Sequence, residues 1–192
     1  MEANMAAIGG QLKRLRQERG WSLDRLARES GVSKAMLGQI ERHESTPTIA
    51  TLWRIASGLH APISSFLQPV SDSLPQRGAA PAWHFDASGM IVMSIFPFDP
   101  ALGFEMLLIE MPPGTFSESS PHAAGVVEHV VILEGSMELC IGGEWQVLKA
   151  GDRVRFAADR PHGYRNHGER TAKLHDMIHY PRLPTSPVPS TV

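Results

Sequence analysis

The chain has 192 residues, is 42% hydrophobic and carries a formal charge of −2, so it can bury a core and fits one large domain or two small ones. No stretch approaches the roughly 18 consecutive apolar residues of a membrane-spanning helix, and the N-terminus lacks the basic start and apolar run of a secretory signal. The single cysteine, Cys140, excludes an internal disulfide framework and suits a cytoplasmic protein; its apolar neighbours Leu139 and Ile141 point to a small buried hydrophobe.

The charge is unevenly shared. Residues 8–67 hold nine Lys/Arg against five Asp/Glu, whereas residues 68–192 hold nine against fourteen. A basic N-terminal third suits a polyanion, and the acidic remainder does not. The hydrophobic pattern changes at the same place. Up to Leu67 apolar residues recur at spacings of three and four (Leu12, Leu15; Leu23, Leu26, Ala27; Met36, Leu37, Ile40; Leu52, Ile55, Ala56, Leu59), the period of helices. Ser22 is placed to cap a helix over 22–30 that stops at Gly31, and Ser33 caps a second over 34–42. A connection this short, with Gly31 in the left-handed region, lets two helices cross steeply. Leu23, Leu26, Ala27, Val32, Leu37 and Ile40 are then the core. Lys34, Ala35, Met36, Gly38, Gln39 and Arg42 form the outward face of the second helix. Gln pairs with an adenine edge, Lys reaches guanine or a phosphate, and Ala35 or Met36 suits a thymine methyl.

Residues 68–82, rich in Pro, Ser, Gly and Ala, read as a linker. From residue 83 short β-rich runs follow at 90–96, 104–111, 126–133, 136–141 and 174–180, with Gly142-Gly143 as a tight hairpin turn; the pattern is that of an antiparallel barrel or sandwich. Residues 182–192, proline-rich, read as a flexible tail. Within the β half, Glu128 and His129 are strand neighbours and face opposite sides. Arg153 and Arg155 share one strand face, and His175, Met177 and His179 share another; the sequence leaves open whether the latter three line the interior or the exterior.

Two resemblances organise these observations. The stretches QLKRLRQERGWS, LDRLARESGVSKAMLGQIER and TPTIATLWRIASGLHAPISSFL make residues 8–67 similar to the phage-repressor (XRE) helix-turn-helix domains. The resemblance implies a five-helix domain whose second motif helix enters the DNA major groove. By position it assigns base contacts to Lys34, Ala35 and Gln39, with Gly38 as a weaker candidate, a phosphate contact to Ser33, a place on the DNA face to Arg42, and a helix-orienting pair to Arg16 and Glu41. One departure stands out: His43 occupies a position that is usually Gly, so either the helix ends differently or His43 is mildly strained.

The segments PHAAGVVEHVVILEG and GDRVRFAADRPHGYRN resemble the two motifs of cupin barrels. The fit rests on Glu128 and Gly135 in the first, and on Gly151, Asp152, Pro161, His162 and Asn166 in the second. The resemblance implies a double-stranded β-helix (jelly-roll) over residues 83–181 and a pocket of His122, Glu128 and His162. The first motif carries one His ahead of Glu128 where the family carries two, so the three residues either bind a divalent metal of the Zn, Ni, Mn or Fe type or hydrogen-bond one another in a metal-free pocket. Taken together, the sequence resembles XRE–cupin regulators. That implies a homodimeric, non-enzymatic regulator of double-stranded DNA that senses a small-molecule effector or a metal. The alternative is a cupin dioxygenase or isomerase with a DNA-binding appendage, for which the missing His is a deficit.

Overall fold

The fold is described from a computed structural model over residues 2–66, 82–85, 89–119 and 121–181. The linker apart from Ala82, and the tail 182–192, lie outside the described residues. Four helices come first: α1 (Glu2–Glu18), α2 (Leu23–Ser30), α3 (Lys34–Glu41) and α4 (Ile49–Gly58). Hydroxyl caps begin the last three. Ser22 accepts from the Arg25 amide, Ser33 from Met36 and Thr48 from Thr51, each satisfying a donor that the first turn leaves free. Gly31, at φ 66°, ends α2 and donates to the Ala27 carbonyl. Leu12, Leu26, Val32, Leu37, Ile40, Leu52, Ile55 and Leu59 are buried between the helices.

Two details differ from or refine the sequence expectation. The fifth helix is a single 3₁₀ turn, Ile63–Ser65, which begins at Pro62. And α3 ends as a Schellman cap despite its histidine. His43 sits at φ 63°, and the amides of His43 and Glu44 donate to the carbonyls of Ile40 (3.0 Å) and Gln39 (2.8 Å). His60, at φ 47°, repeats this arrangement at the end of α4. The end of α3 lies so close to α1 that a Cβ on Gly9 would fall 2.3 Å from the Ile40 carbonyl oxygen and 2.5 Å from His43 Nδ1. Glycine is therefore required there for α1 to seat against the end of α3.

Ten strands follow, in two facing sheets: a six-stranded sheet in the order β1-β2-β3-β10-β5-β8 and a four-stranded sheet in the order β4-β9-β6-β7. Their ranges are β1 Ala82–Phe85, β2 Met90–Asp99, β3 Phe104–Met111, β4 Phe116–Ser119, β5 Val127–Glu134, β6 Ser136–Ile141, β7 Glu144–Lys149, β8 Arg153–Ala157, β9 His162–Arg165 and β10 Ala172–His179. Gly142 and Gly143 have φ 62° and 94°, which suits the tight β6–β7 hairpin. Strict alternation along β3, β5 and β10 sends Leu107, Ile109, Val130, Ile132, Leu174 and Ile178 inward. The same alternation turns His129, His175, Met177 and His179 outward, and Arg153 and Arg155 are exposed. Cys140 corrects its expectation: Met137 and Leu139 are buried, while Cys140 stands half-buried on the outer side of its sheet.

The two halves are joined by polar contacts as well as apolar ones. Glu105 of β3 is fully buried and accepts from the amides of Ile63 (3.1 Å) and Ser64 (2.9 Å) and from the Tyr180 hydroxyl. A carboxylate of the barrel thus caps the 3₁₀ turn of the helical domain. Ser64 returns the contact by accepting from the Phe98 amide at 2.9 Å. Burial pushes the Glu105 carboxyl above its usual range, and the three donors offset part of that. Replacing Glu105 by Ala strands two buried amides and a hydroxyl at about 1–3 kcal/mol for each unsatisfied group. Differential scanning calorimetry should then show the single unfolding transition of the native chain split in two, with the helical domain melting first.

Candidate functional site

The first candidate surface is α3. Its buried side is Leu37 and Ile40, and its end is held by Arg16, which grips Glu41 through Nε and Nη2 (2.6 and 2.8 Å) and donates a third bond from Nη1 to the Trp21 carbonyl. The pair is largely buried, and the Glu41 partner raises the Arg16 pKa against the opposing effect of burial. A bidentate, part-buried pair of this kind fixes geometry better than an exposed one.

The opposite side of α3 exposes Ser33, Lys34, Ala35, Met36, Gln39 and Arg42. Lys34 reaches Asp24 (2.9 Å) and Arg42 grips Glu44 (2.8 Å), both in the open. Exposed pairs of this type are screened by water and contribute little, so a phosphate can take either cation at little cost. Gly38 is corrected: it is buried, with a hypothetical Cβ only 3.0 Å from Arg42 Nη1. It packs under the arginine and leaves Gln39 as the outward residue.

The second candidate site lies inside the barrel. His122 stands in the loop before β5, anchored by its amide to the Ala158 carbonyl (2.9 Å); Glu128 comes from β5 and His162 from β9. One ligand atom from each lies within 4.8 Å of the others, and all three residues are buried. Glu128 meets His122 Nε2 at 2.7 Å and His162 Nε2 at 3.5 Å, and also accepts from the Tyr164 hydroxyl. His162 donates from Nδ1 to the Arg160 carbonyl at 2.8 Å. That bond holds the ring so that its buried Nε2 faces the Glu128 carboxylate. Two imidazole nitrogens and one carboxylate oxygen suit a divalent ion of the Zn, Ni, Mn or Fe type with an open position. The space beside them is about 20 Å³, enough for one ion or water.

Burial works against the Glu128 charge, but His122 and His162 outweigh it and hold the carboxyl far below its usual range. His162 is raised in turn: burial lowers it, and Glu128 more than compensates. Sequence reasoning missed three residues here. Tyr164 and Asp176 line the chamber, and Trp53 of α4 closes its mouth. Asp176 is pushed well above the carboxylate range by burial and then by Glu128 and Glu105, so it favours its protonated form. Its place was available in the sequence, because it alternates in step with Leu174 and Ile178 on β10.

Two family patterns match the chain. The helix-turn-helix family covers residues 12–66 and the cupin domain family residues 107–178. The HTH-type transcriptional regulator SutR of Escherichia coli K12 is 55% identical over 182 residues, which is 95% of this chain and 99% of SutR. The chain belongs to the helix-turn-helix transcriptional regulators with a C-terminal cupin domain. The regulator is also 26% identical to PuuR of Escherichia coli K12 over 83% of its own length and 88% of PuuR. Its fold matches the crystal structure of a helix-turn-helix family transcriptional regulator from Vibrio cholerae with a TM-score of 0.83 and 40% identity, over 94% of this chain and 99% of that one. These relatives are transcriptional regulators, which favours the regulator reading over a cupin enzyme with a DNA-binding appendage. Among the described residues no helix is long and apolar enough to cross a membrane.

Elemental analysis should find one divalent ion per chain after loading with Zn²⁺, Ni²⁺ or Mn²⁺, and Glu128→Gln or His162→Ala should abolish it. In chelator, the raised His162 contributes stability that is fully present below its ordinary value of 6.5 and is lost as pH rises through the raised value. The melting temperature of the chelated protein should therefore fall above pH 6.5, and His162→Gln should flatten that slope.

Proposed function

We propose that the regulator binds DNA as a cytoplasmic homodimer, with α3 of each copy in the major groove, and that its cupin domain senses a metal or a small-molecule effector. The observation that carries the DNA half is the two-sidedness of α3. One side is clamped by Leu37, Ile40 and the Arg16–Glu41 pair; the other exposes Lys34, Ala35, Gln39 and Arg42 within three turns. In this reading Gln39 reads a base edge, Ala35 meets a base methyl, and Lys34 reads guanine or a phosphate. Ser33, at the positive end of α3, faces a phosphate together with Arg42.

A single helix-turn-helix reads too few base pairs for a specific site, and two copies read half-sites about 34–36 Å apart. The outer face of the six-stranded sheet supports the dimer. Met106, Leu108, Val131 and Met177 are half-buried there and Leu133 is exposed, an apolar patch spread over three adjacent strands. On the sensing side, the support is the buried His122–Glu128–His162 cluster, whose carboxylate and two imidazoles offer ligand atoms within 4.8 Å of one another.

Selecting bound duplexes from a random pool tests the DNA half. The native chain should yield an inverted-repeat site, and Gln39→Ala should relax preference at one position of each half-site while costing about 1–3 kcal/mol. Unchanged base preference in that variant removes Gln39 from the reading set.

A further inference from the structure

A second, larger cavity lies between the domains, on the far side of His122 from the barrel cluster. It has a volume of about 250 Å³ against about 20 Å³ for the chamber inside the barrel. The inner chamber is sized for a single ion or water, and the outer cavity for a small organic molecule. Trp53 lines both spaces and separates them, stacked on the His122 ring at 4.5 Å. We infer that this interdomain cavity, and not the barrel interior, is the site of the organic effector, and that its ligand is a compact, uncharged, largely apolar molecule with one hydrogen-bonding end. The inference rests on the reading of the chain as an effector-controlled regulator and specifies where and how the effector binds.

The walls dictate the chemistry. Trp53, Phe98 and the ring of Tyr180 supply flat apolar surfaces, and the Tyr180 hydroxyl is turned away into its bond with Glu105. No Asp, Glu, Lys or Arg is among the described residues that line the space, so a charged ligand would lose its hydration without gaining a partner. The polar edge is Ser57, His60 and His122. Ser57 Oγ and His122 Nδ1 stand 3.4 Å apart, a stretched contact that a ligand hydroxyl or N–H can replace with two shorter bonds.

Position makes the cavity regulatory. One wall is α4 and the residues leading to the 3₁₀ turn; the other is the barrel. An occupant therefore sets how α4 sits on the barrel. At its C-terminal end α4 packs directly on α2, where a Cβ on Gly58 would fall 2.7 Å from Ser30 Cα, and Ser30 immediately precedes the turn that aims α3. The same His122 whose Nε2 faces Glu128 presents Nδ1 to Ser57, so an ion in the barrel and a ligand in the cavity share one side chain.

The test uses indole as a neutral probe and benzoate as its charged counterpart, titrated into the full chain labelled at its methyl groups and followed by NMR without DNA. Indole should shift the methyls of Ala56, Ala61, Ala123 and Val126 saturably, and benzoate should bind at least about tenfold more weakly because its charge finds no partner. Ala123→Trp, at the half-buried rim, should remove indole binding. Ser57→Ala, which changes little bulk, should weaken binding about threefold or more, and unchanged affinity would overturn the polar edge. Shifts centred on Leu107, Ile109 and Met111 inside the barrel, equal binding of benzoate, or no saturable shift would overturn the site. Operator affinity is then measured with saturating indole and should change at least about fivefold. An unchanged affinity overturns the regulatory role, whereas absence of any specific operator binding in the same assay marks a failure of the DNA-binding reading instead.

Discussion

A carboxylate removed from water must find donors, and Glu105 finds two of its three in the other domain. The architecture depends on that exchange. The 3₁₀ turn Ile63–Ser65 is too short to satisfy its own first amides, and the barrel strand β3 supplies the missing acceptor. Once the cap is made, α4 is laid across the barrel mouth, Trp53 meets His122, and the cavity between the halves acquires its shape. The helical and β halves are therefore coupled by a bond that neither can make alone.

His122 is the second hinge of the account. Its amide is tied to Ala158, its Nε2 faces Glu128, its Nδ1 faces Ser57, and its ring carries Trp53. A side chain with partners on both sides of a domain boundary converts a change in one compartment into strain or relief in the other. The barrel cluster is suited to an ion by charge and by size. The interdomain cavity is suited to an organic molecule by volume and by lack of charge. Both meet at His122.

Much of the fold was legible because short-range chemistry dictates it. Ser22, Gly31 and Ser33 mark the two crossing helices through caps and a left-handed turn, and strand alternation sends Glu128 in and His129 out. The same rule, applied to β6, would have turned Cys140 outward; its apolar neighbours in sequence misled because adjacent strand residues occupy opposite faces. Gly38 was misread because helical spacing alone does not reveal that the Arg42 side chain folds over it. Glu105, Trp53 and Ser57 were invisible for a deeper reason. Their importance arises where two domains touch, and no periodicity within either domain records the other.

If the joined domains act as one unit, the state of the barrel reaches the DNA-binding surface through the Glu105 cap. The direct measurement is the operator dissociation constant in chelator and in saturating divalent metal, for the native chain and for Glu105→Ala. The native chain should show at least about a fivefold difference between the two conditions, and that difference should collapse when the interdomain cap is removed although DNA is still bound. Equal affinities in chelator and metal, or a full response that survives loss of the cap, would contradict that coupling.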